Sequence, residues 1–265
     1  MNLLQTEEYL HAIDSNPDSI YVLHEKIERK LPAHAHVKGQ LTYVQGGIAY
    51  IHTKNISYII PARHYIWVPS GLEHYLEVRH QATVTRNIYY YHDGQDKDPF
   101  YNNMGIYPVN NLLLEMIVFT ERWNGHIQPA DIVPFQFLSS LKNVLPQLSV
   151  RAFPITLPTT SNERLRPIII YLSQNFHKPL SLEEISKRFG IAERTLSRLF
   201  QAVMNISFLQ YLKMLRMVRA IEMMLQTQKS TSEIAYATGY NSLAAFSKAF
   251  YQLTNIRPSD FGKTY

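Results

Sequence analysis

The chain has 265 residues, 46% hydrophobic and 18% charged, enough apolar content for a sizeable core in one or two domains. Ten glycines and fourteen prolines exclude collagen-like and low-complexity classes, and the lack of cysteine excludes disulfide scaffolds, cysteine zinc sites and cysteine nucleophiles. The net charge of +5 is uneven: residues 1–160 hold 12 Lys+Arg against 14 Asp+Glu, whereas residues 161–265 hold 14 against 7. A basic module beside a near-neutral one points to a polyanion, either nucleic acid or an acidic membrane surface. No run approaches eighteen consecutive apolar residues, and MNLLQTEEYL lacks a basic n-region and a long apolar stretch. Neither a spanning helix nor a signal peptide is therefore expected, and the default is a soluble cytoplasmic protein.

Residues 20–92 read as short strands rich in Tyr, Val and Ile. Gly46-Gly47, between QLTYVQ and IAYIHT, predicts a hairpin, and Lys54-Asn55 predicts a further turn before ISYII. Many short antiparallel strands suggest a small barrel or sandwich. After about residue 108, VNNLLLEMIVFTERW and IVPFQFLSSLKNVL have helical length, either as helices packed on the barrel or as a dimerisation surface. SVRAFPITLPTTSNE, with two prolines and a Thr/Ser/Asn cluster, reads as a linker. The expected organisation is a strand-rich domain at 1–150, a linker at 151–163 and a helical domain at 164–265.

The helical domain opens with LRPIIIYLSQNF. Ser181 and Glu184 form a predicted capping box for LEEISKRF, which stops at Gly190 before ERTLSRLFQAV. Ser207 precedes a long amphipathic helix over 208–226. Ser230 and Glu233 make a second predicted box for EIAYA, stopping at Gly239, and Asn241-Ser242 can cap LAAFSKAFYQL. Pro258 suits the first turn of a final helix. Two short helices joined by a Gly-containing turn make a helix-turn-helix unit, and here the unit occurs twice about fifty residues apart.

In the first unit Leu196, Leu199, Phe200 and Val203 form one apolar stripe, and Arg194, Thr195, Ser197, Arg198 and Gln201 lie opposite. Two arginines with hydroxyl and amide neighbours suit a major-groove reader, because Arg can grip guanine with two hydrogen bonds. In the second unit Phe246, Ala249, Phe250 and Leu253 form the stripe. The outward face there offers Ser242, Leu243, Ala245, Ser247 and Lys248, which predicts weaker base discrimination. At 1.5 Å per residue the connecting helix spans about 28 Å, near the ~34 Å repeat of the major groove on one DNA face. That length suits two reading helices in successive grooves. Lys213, Arg216 and Arg219 are expected to add attraction to phosphate.

Residues 164–265 resemble the DNA-binding domain of AraC/XylS-type transcription regulators. EIAYATGYNSLAAFSKAFYQLTNIRPSDF carries the family's pattern at Ile234, Ala235, Gly239, Tyr240, Phe246, Phe250 and Pro258, and Arg216, Ala220, Met224 and Leu225 resemble its linking helix. Asn255, Lys248 and Gly262 depart from that pattern, at positions where the family usually has Gly, Arg and Arg. Carried over by position, the resemblance implies DNA-facing Arg194, Thr195, Ser197 and Arg198, then Ser242, Ala244, Ala245, Ser247 and Lys248.

His34 and His36 share parity on a strand, as does Gln40 if no bulge intervenes. With His74 in Pro69-x-Gly71-x-x-His74, they resemble the paired motifs of cupin barrels, which AraC-type regulators often carry as sensors. Where metal-binding cupins have Glu, this chain has Gln40. Three readings stay open: a divalent metal on His34, His36, Gln40 and His74; a metal-free small-molecule pocket; or histidines satisfied by core hydrogen bonds. Tyr43 and Trp67 join the four as effector-binding candidates, among aromatics that include Tyr50, Tyr58, Tyr65 and Tyr75.

The expected class is α+β: a cupin-like β-barrel with appended helices, then an all-α domain with two helix-turn-helix motifs. The expected function is a sequence-specific DNA-binding regulator, activation being the commoner family habit, controlled by a small-molecule effector. Double-stranded DNA and the effector are the expected partners, with a homodimer as the expected assembly, RNA polymerase as a further candidate and no membrane. The alternatives are a metal-dependent cupin enzyme with an appended helical domain, and an adaptor whose basic domain binds acidic proteins or membranes. Gln40 argues against the enzyme, because facial redox sites use a carboxylate.

Overall fold

The computed structural model describes residues 3–25, 32–78, 83–91, 97–149 and 151–264. The chain divides into two compact units, one of residues 1–53 with 60–153, the other of residues 54–59 with 154–265.

In the first unit α1 (Leu3–Asp14) precedes β1 (Ile20–Glu25), β2 (Gly39–Val44) and β3 (Ile48–His52). β4 (Ile56–Pro61) straddles the division between the units. Then come β5 (His64–Val68), β6 (Tyr75–Val78), β7 (Thr85–Tyr90), α2 (Pro99–Asn102), β8 (Gly105–Pro108), α3 (Asn111–Phe119), β9 (Gly125–Ile127) and α4 (Ile132–Leu148). The six strands β8-β5-β2-β7-β1-β9 form one antiparallel sheet, and β3 pairs antiparallel with β6. Among the described residues the six-stranded sheet ends in β8 and β9 and does not close into a ring, so the expected barrel is an open antiparallel sheet at this level.

The Gly46-Gly47 turn does not make the expected hairpin. Both edges of β2 are already paired, with β5 on one side and β7 on the other, so β3 leaves to pair with β6. Period-2 alternation gives the six-stranded sheet two chemically different faces. Leu41, Tyr43, Tyr65, Trp67, Ile88 and Tyr90 point to one face and build an apolar core with Leu113 and Ile117 of α3 and Leu138, Leu141 and Leu145 of α4. Gln40, Thr42 and Asn87 hold the opposite parity. They form a buried polar chain, with Gln40 Nε2 donating to Thr42 Oγ1 at 2.7 Å and Thr42 Oγ1 donating to Asn87 Oδ1 at 2.8 Å.

His64 starts β5 fully buried against Phe153, ring centroids 4.5 Å apart, with its Nδ1 3.1 Å from the Ala62 carbonyl. Burial pushes its pKa down to about 4, only partly opposed by that carbonyl. Below about pH 6.5 the unfolded chain therefore binds a proton that the folded one refuses, and stability falls as pH drops from 6.5 towards 4. We expect this residue to remove up to about 3 kcal/mol over that window. Urea titrations at pH 7 and pH 4.5 should show the loss shrinking in a His64→Gln variant. An equal loss in both proteins would assign the acid sensitivity elsewhere.

In the second unit β10 (Thr156–Pro158) pairs antiparallel with β4, within the segment expected to be linker. Among the described residues seven helices follow: α5 (Arg166–Asn175), α6 (Leu182–Phe189), α7 (Glu193–Met204), α8 (Phe208–Gln226), α9 (Thr231–Ala237), α10 (Leu243–Thr254) and α11 (Pro258–Thr264). The local signals act as the sequence implies, with one exception. Ser230 and Glu233 complete a capping box, as do Ser207 and Gln210, but Ser181 only accepts from Glu184 N and no reciprocal arm forms. Asn205 and Asn255 end α7 and α10 in the left-handed region, at φ 55° and 57°, which a short polar side chain tolerates.

Candidate nucleic-acid interface and a buried histidine cluster

Each helix-turn-helix is built by the same physics. Ser181 caps α6, and Gly190 ends it with φ 63°. α7 then buries Leu196, Phe200 and Met204 and half-buries Leu199 and Val203. The burial of one stripe turns the other out, and Arg194, Thr195, Ser197, Arg198 and Gln201 are all exposed. Gln201 Nε2 also donates to Asn205 Oδ1 at 3.2 Å.

In the second unit Ser230 caps α9, and α10 buries Phe246, Ala249 and Phe250. Ala244, Ala245 and Lys248 are exposed, while Ser242 and Ser247 are half-buried. The Ser242 hydroxyl accepts from Ala245 N at 3.2 Å, so it serves as helix cap before it can serve as contact. Ser247 lines a groove of about 730 Å³ with Leu243, Tyr251, Arg257 and Ser259. Tyr251, Arg257 and Ser259 of this groove were not among the residues singled out from the sequence.

The connecting helix α8 buries Phe208, Tyr211, Leu212, Leu215, Met217, Val218 and Ile221. Its three basic residues are not equivalent. Arg216 Nε donates to the Phe176 carbonyl and its Nη2 to the Lys178 carbonyl, each at 2.8 Å. Arg219 Nη1 donates to Glu222 at 2.7 Å, and Lys213 Nζ to Gln252 at 3.3 Å. Arg216 thus ties α8 to the chain just after α5, and Arg219 is paired within α8 by Glu222. Gly239 enforces the Arg216 tie, because a Cβ there, at φ 83°, would lie 2.8 Å from the His177 carbonyl and 2.9 Å from Arg216 Nη2.

In the first unit His34, His36 and His74 come together, their nearest ring nitrogens all within 4.8 Å of one another, and all three are buried. His34 and His74 lie opposite each other in an antiparallel bridge. Each ring is oriented through Nδ1, which sits 2.9 Å from the Pro32 carbonyl in His34, 2.6 Å from the Lys38 carbonyl in His36 and 2.8 Å from the Leu72 carbonyl in His74. A carbonyl can only accept, so each Nδ1 carries the proton, and in neutral rings Nε2 keeps its lone pair. His36 Nε2 and His74 Nε2 both lie 3.0 Å from Gln40 Oε1. Burial lowers the pKa of all three, that of His74 to about 3, and keeps the rings neutral.

This donor set fits a divalent transition metal: three neutral imidazoles fixed by backbone carbonyls, with an amide oxygen between two of them. It equally fits a metal-free network with the Gln40 amide turned, so that its NH₂ donates to both ring nitrogens. Of the six effector candidates, His34, His36, Gln40 and His74 meet. Tyr43 and Trp67 do not: their odd parity relative to Gln40 puts them on the opposite sheet face, in the core beneath α3 and α4.

A helix-turn-helix domain family matches residues 185–264. The HTH-type transcriptional regulator GbdR of Pseudomonas aeruginosa is 32% identical over 101 residues, covering 38% of this chain and 28% of GbdR. The HTH-type transcriptional regulator NimR of Escherichia coli is 23% identical over 219 residues, covering 83% of this chain and 77% of NimR. A solved AraC-type DNA-binding regulator structure from Chromobacterium violaceum is 30% identical, covering 39% of this chain and 92% of that one, with a TM-score of 0.38. The chain thus spans little more than a quarter of the length of GbdR. No helix among the described residues is long and apolar enough to cross a membrane. Residues 185–264 therefore form a helix-turn-helix domain similar to the one these transcriptional regulators carry.

Proposed function

We propose that the chain is a sequence-specific DNA-binding transcription regulator whose N-terminal unit senses a small molecule. The observation that carries this reading is the duplicated helix-turn-helix, which turns Arg194, Arg198 and Lys248 outward on α7 and α10, with the nineteen-residue α8 between the two motifs. Direct base contacts fall to α7, and thymine-methyl and phosphate contacts to Ala244, Ala245 and Lys248 of α10. Selection of bound sequences from a random duplex pool tests the reading. A defined site with two half-elements is expected, and retention of bulk DNA without preference would overturn it.

The buried cluster supports a ligand-responsive N-terminal unit with a cupin-like motif. If it holds a divalent ion, His34, His36 and His74 bind through Nε2 and Gln40 through Oε1, and the ion supplies a Lewis-acidic anchor for a ligand oxygen. An effector would act by differential affinity for two arrangements of the chain. Exposed Leu112 and Phe119 of α3, with Ile132 and Val133 of α4, support a homodimer through these helices. Activation, through contact with RNA polymerase, follows the family habit. The relatives are named as regulators, and nothing favours the enzyme reading.

A further inference from the structure

We propose that the groove beside α10 extends the DNA interface of the second helix-turn-helix: Leu243 reads the methyl group of a thymine, and Tyr251 and Arg257 hold the phosphate backbone that flanks it. The proposal rests on the DNA-binding reading above and adds specificity and anchoring residues to it.

α10 carries two outward rows. Ala244 and Lys248 form one, and Leu243, Ser247 and Tyr251, each four residues apart, form the next. The second row lines the groove of about 730 Å³ together with Arg257. Ser247 belongs both to this groove and to the face expected to meet DNA, so the two surfaces are continuous.

The first turn of α10 offers little hydrogen bonding. The Ser242 hydroxyl is taken by Ala245 N, and Leu243, Ala244 and Ala245 follow. In a helix-turn-helix, the N-terminal residues of the second helix reach the base edges. Leu243 stands there and is 41% exposed. An aliphatic side chain has no donor or acceptor, and the feature of the major groove that complements it is the C5-methyl of thymine. Tyr251, 51% exposed, lies eight residues further on, about 12 Å along the helix at 1.5 Å per residue. The major groove is about 12 Å wide. With Leu243 over a base, Tyr251 therefore comes to the phosphate wall, where its hydroxyl can donate.

Arg257 lies outside α10, in the turn before α11. It is exposed, and among the described residues its guanidinium makes no hydrogen bond or ion pair, in contrast to Arg216. Its backbone is fixed. Pro258 restricts the residue before it, and the Arg257 carbonyl accepts from Asp260 N and Phe261 N at 3.0 Å each. Phe261 is fully buried and meets Phe250 of α10 edge to face, centroids 5.5 Å apart. An uncommitted cation thus stands at a set place on the groove rim, complementary to phosphate.

The test uses the full chain and the selected duplex, with each thymine of the second half-element replaced in turn by deoxyuridine, which lacks only the methyl group. We expect one replacement to weaken the parent by about three- to tenfold. Leu243→Ala should abolish that difference and keep those at other thymines. Arg257→Gln and Tyr251→Phe should weaken binding evenly across sequences, and Arg257→Gln should make the salt dependence shallower by about 0.9. A second half-element without thymine, a Leu243→Ala protein that keeps every deoxyuridine loss, an Arg257→Gln protein with the parent's salt slope, or a Tyr251→Phe protein that binds like the parent would each overturn the proposal. Selection that yields no defined site would overturn the regulator reading and the Leu243 contact with it. The Arg257 slope is read on bulk duplex as well, which separates that failure from failure of the groove.

Discussion

A double Arg194→Ala, Arg198→Ala variant is expected to lose site-specific DNA binding while keeping its fold. Both side chains are exposed on α7, one helical turn apart on one face, and the buried stripe of Leu196, Phe200 and Met204 leaves them no part in the core. A good bidentate Arg–guanine pair discriminates by about 1–3 kcal/mol. Two such contacts, if additive, cost about 2–6 kcal/mol, a factor of roughly 30 to 10⁴. Competition titrations across single-base variants of the selected site read this directly. Each single variant should relax specificity at its own base pair. Uniform weakening across all sequences, with a shallower salt dependence, would instead place these arginines on phosphate.

The largest stability effect is expected at Phe200. It is fully buried, with Phe208 and Tyr211 packed edgewise at centroid distances of 5.7 and 5.9 Å. Truncating such a ring removes its transfer free energy and leaves a cavity, about 3–5 kcal/mol for Phe→Ala. Because its partners belong to α8, the loss would loosen the first reading helix from the connecting rod. Urea unfolding monitored by circular dichroism should show this shift in Phe200→Ala, with DNA binding lost in step. An Ala202→Ser control on the exposed face should be near neutral. A Phe200→Ala protein that unfolded at the parent's midpoint would remove α7 from the cooperative core.

The helical domain was legible because its signals are local. Caps at Ser207, Ser230 and Ser242, the glycine stops at Gly190 and Gly239, and stripes at i, i+3, i+4, i+7 depend only on near neighbours in the chain. The strand-rich unit was read less well for the opposite reason. Whether Gly46-Gly47 closes a hairpin depends on which strands already occupy the edges of β2, and those come from residues 64–68 and 85–90.

The histidine cluster shows both behaviours. His34, His36 and Gln40 follow from spacing, and the motif placed His74 with them. Tyr43 and Trp67 were grouped there by composition, although counting parity from Gln40 puts them on the other face. A cavity of about 240 Å³ lined by Gly39, Trp67, Tyr90, Tyr101 and Lys142 had no sequence signal, because it assembles from β2, β5, β7, α2 and α4.

The bracing role of Arg216 bears on counterion release. Binding to duplex DNA weakens with salt at a slope of about 0.9 for each phosphate a cation neutralises. With two of its nitrogens committed to the Phe176 and Lys178 carbonyls just after α5, Arg216 is expected to contribute little to that slope. The domain's excess of positive charge therefore overstates its footprint on the nucleic-acid backbone. Its grip should survive moderate ionic strength better than its composition suggests, and discrimination between sequences would then rest on the few side chains of α7.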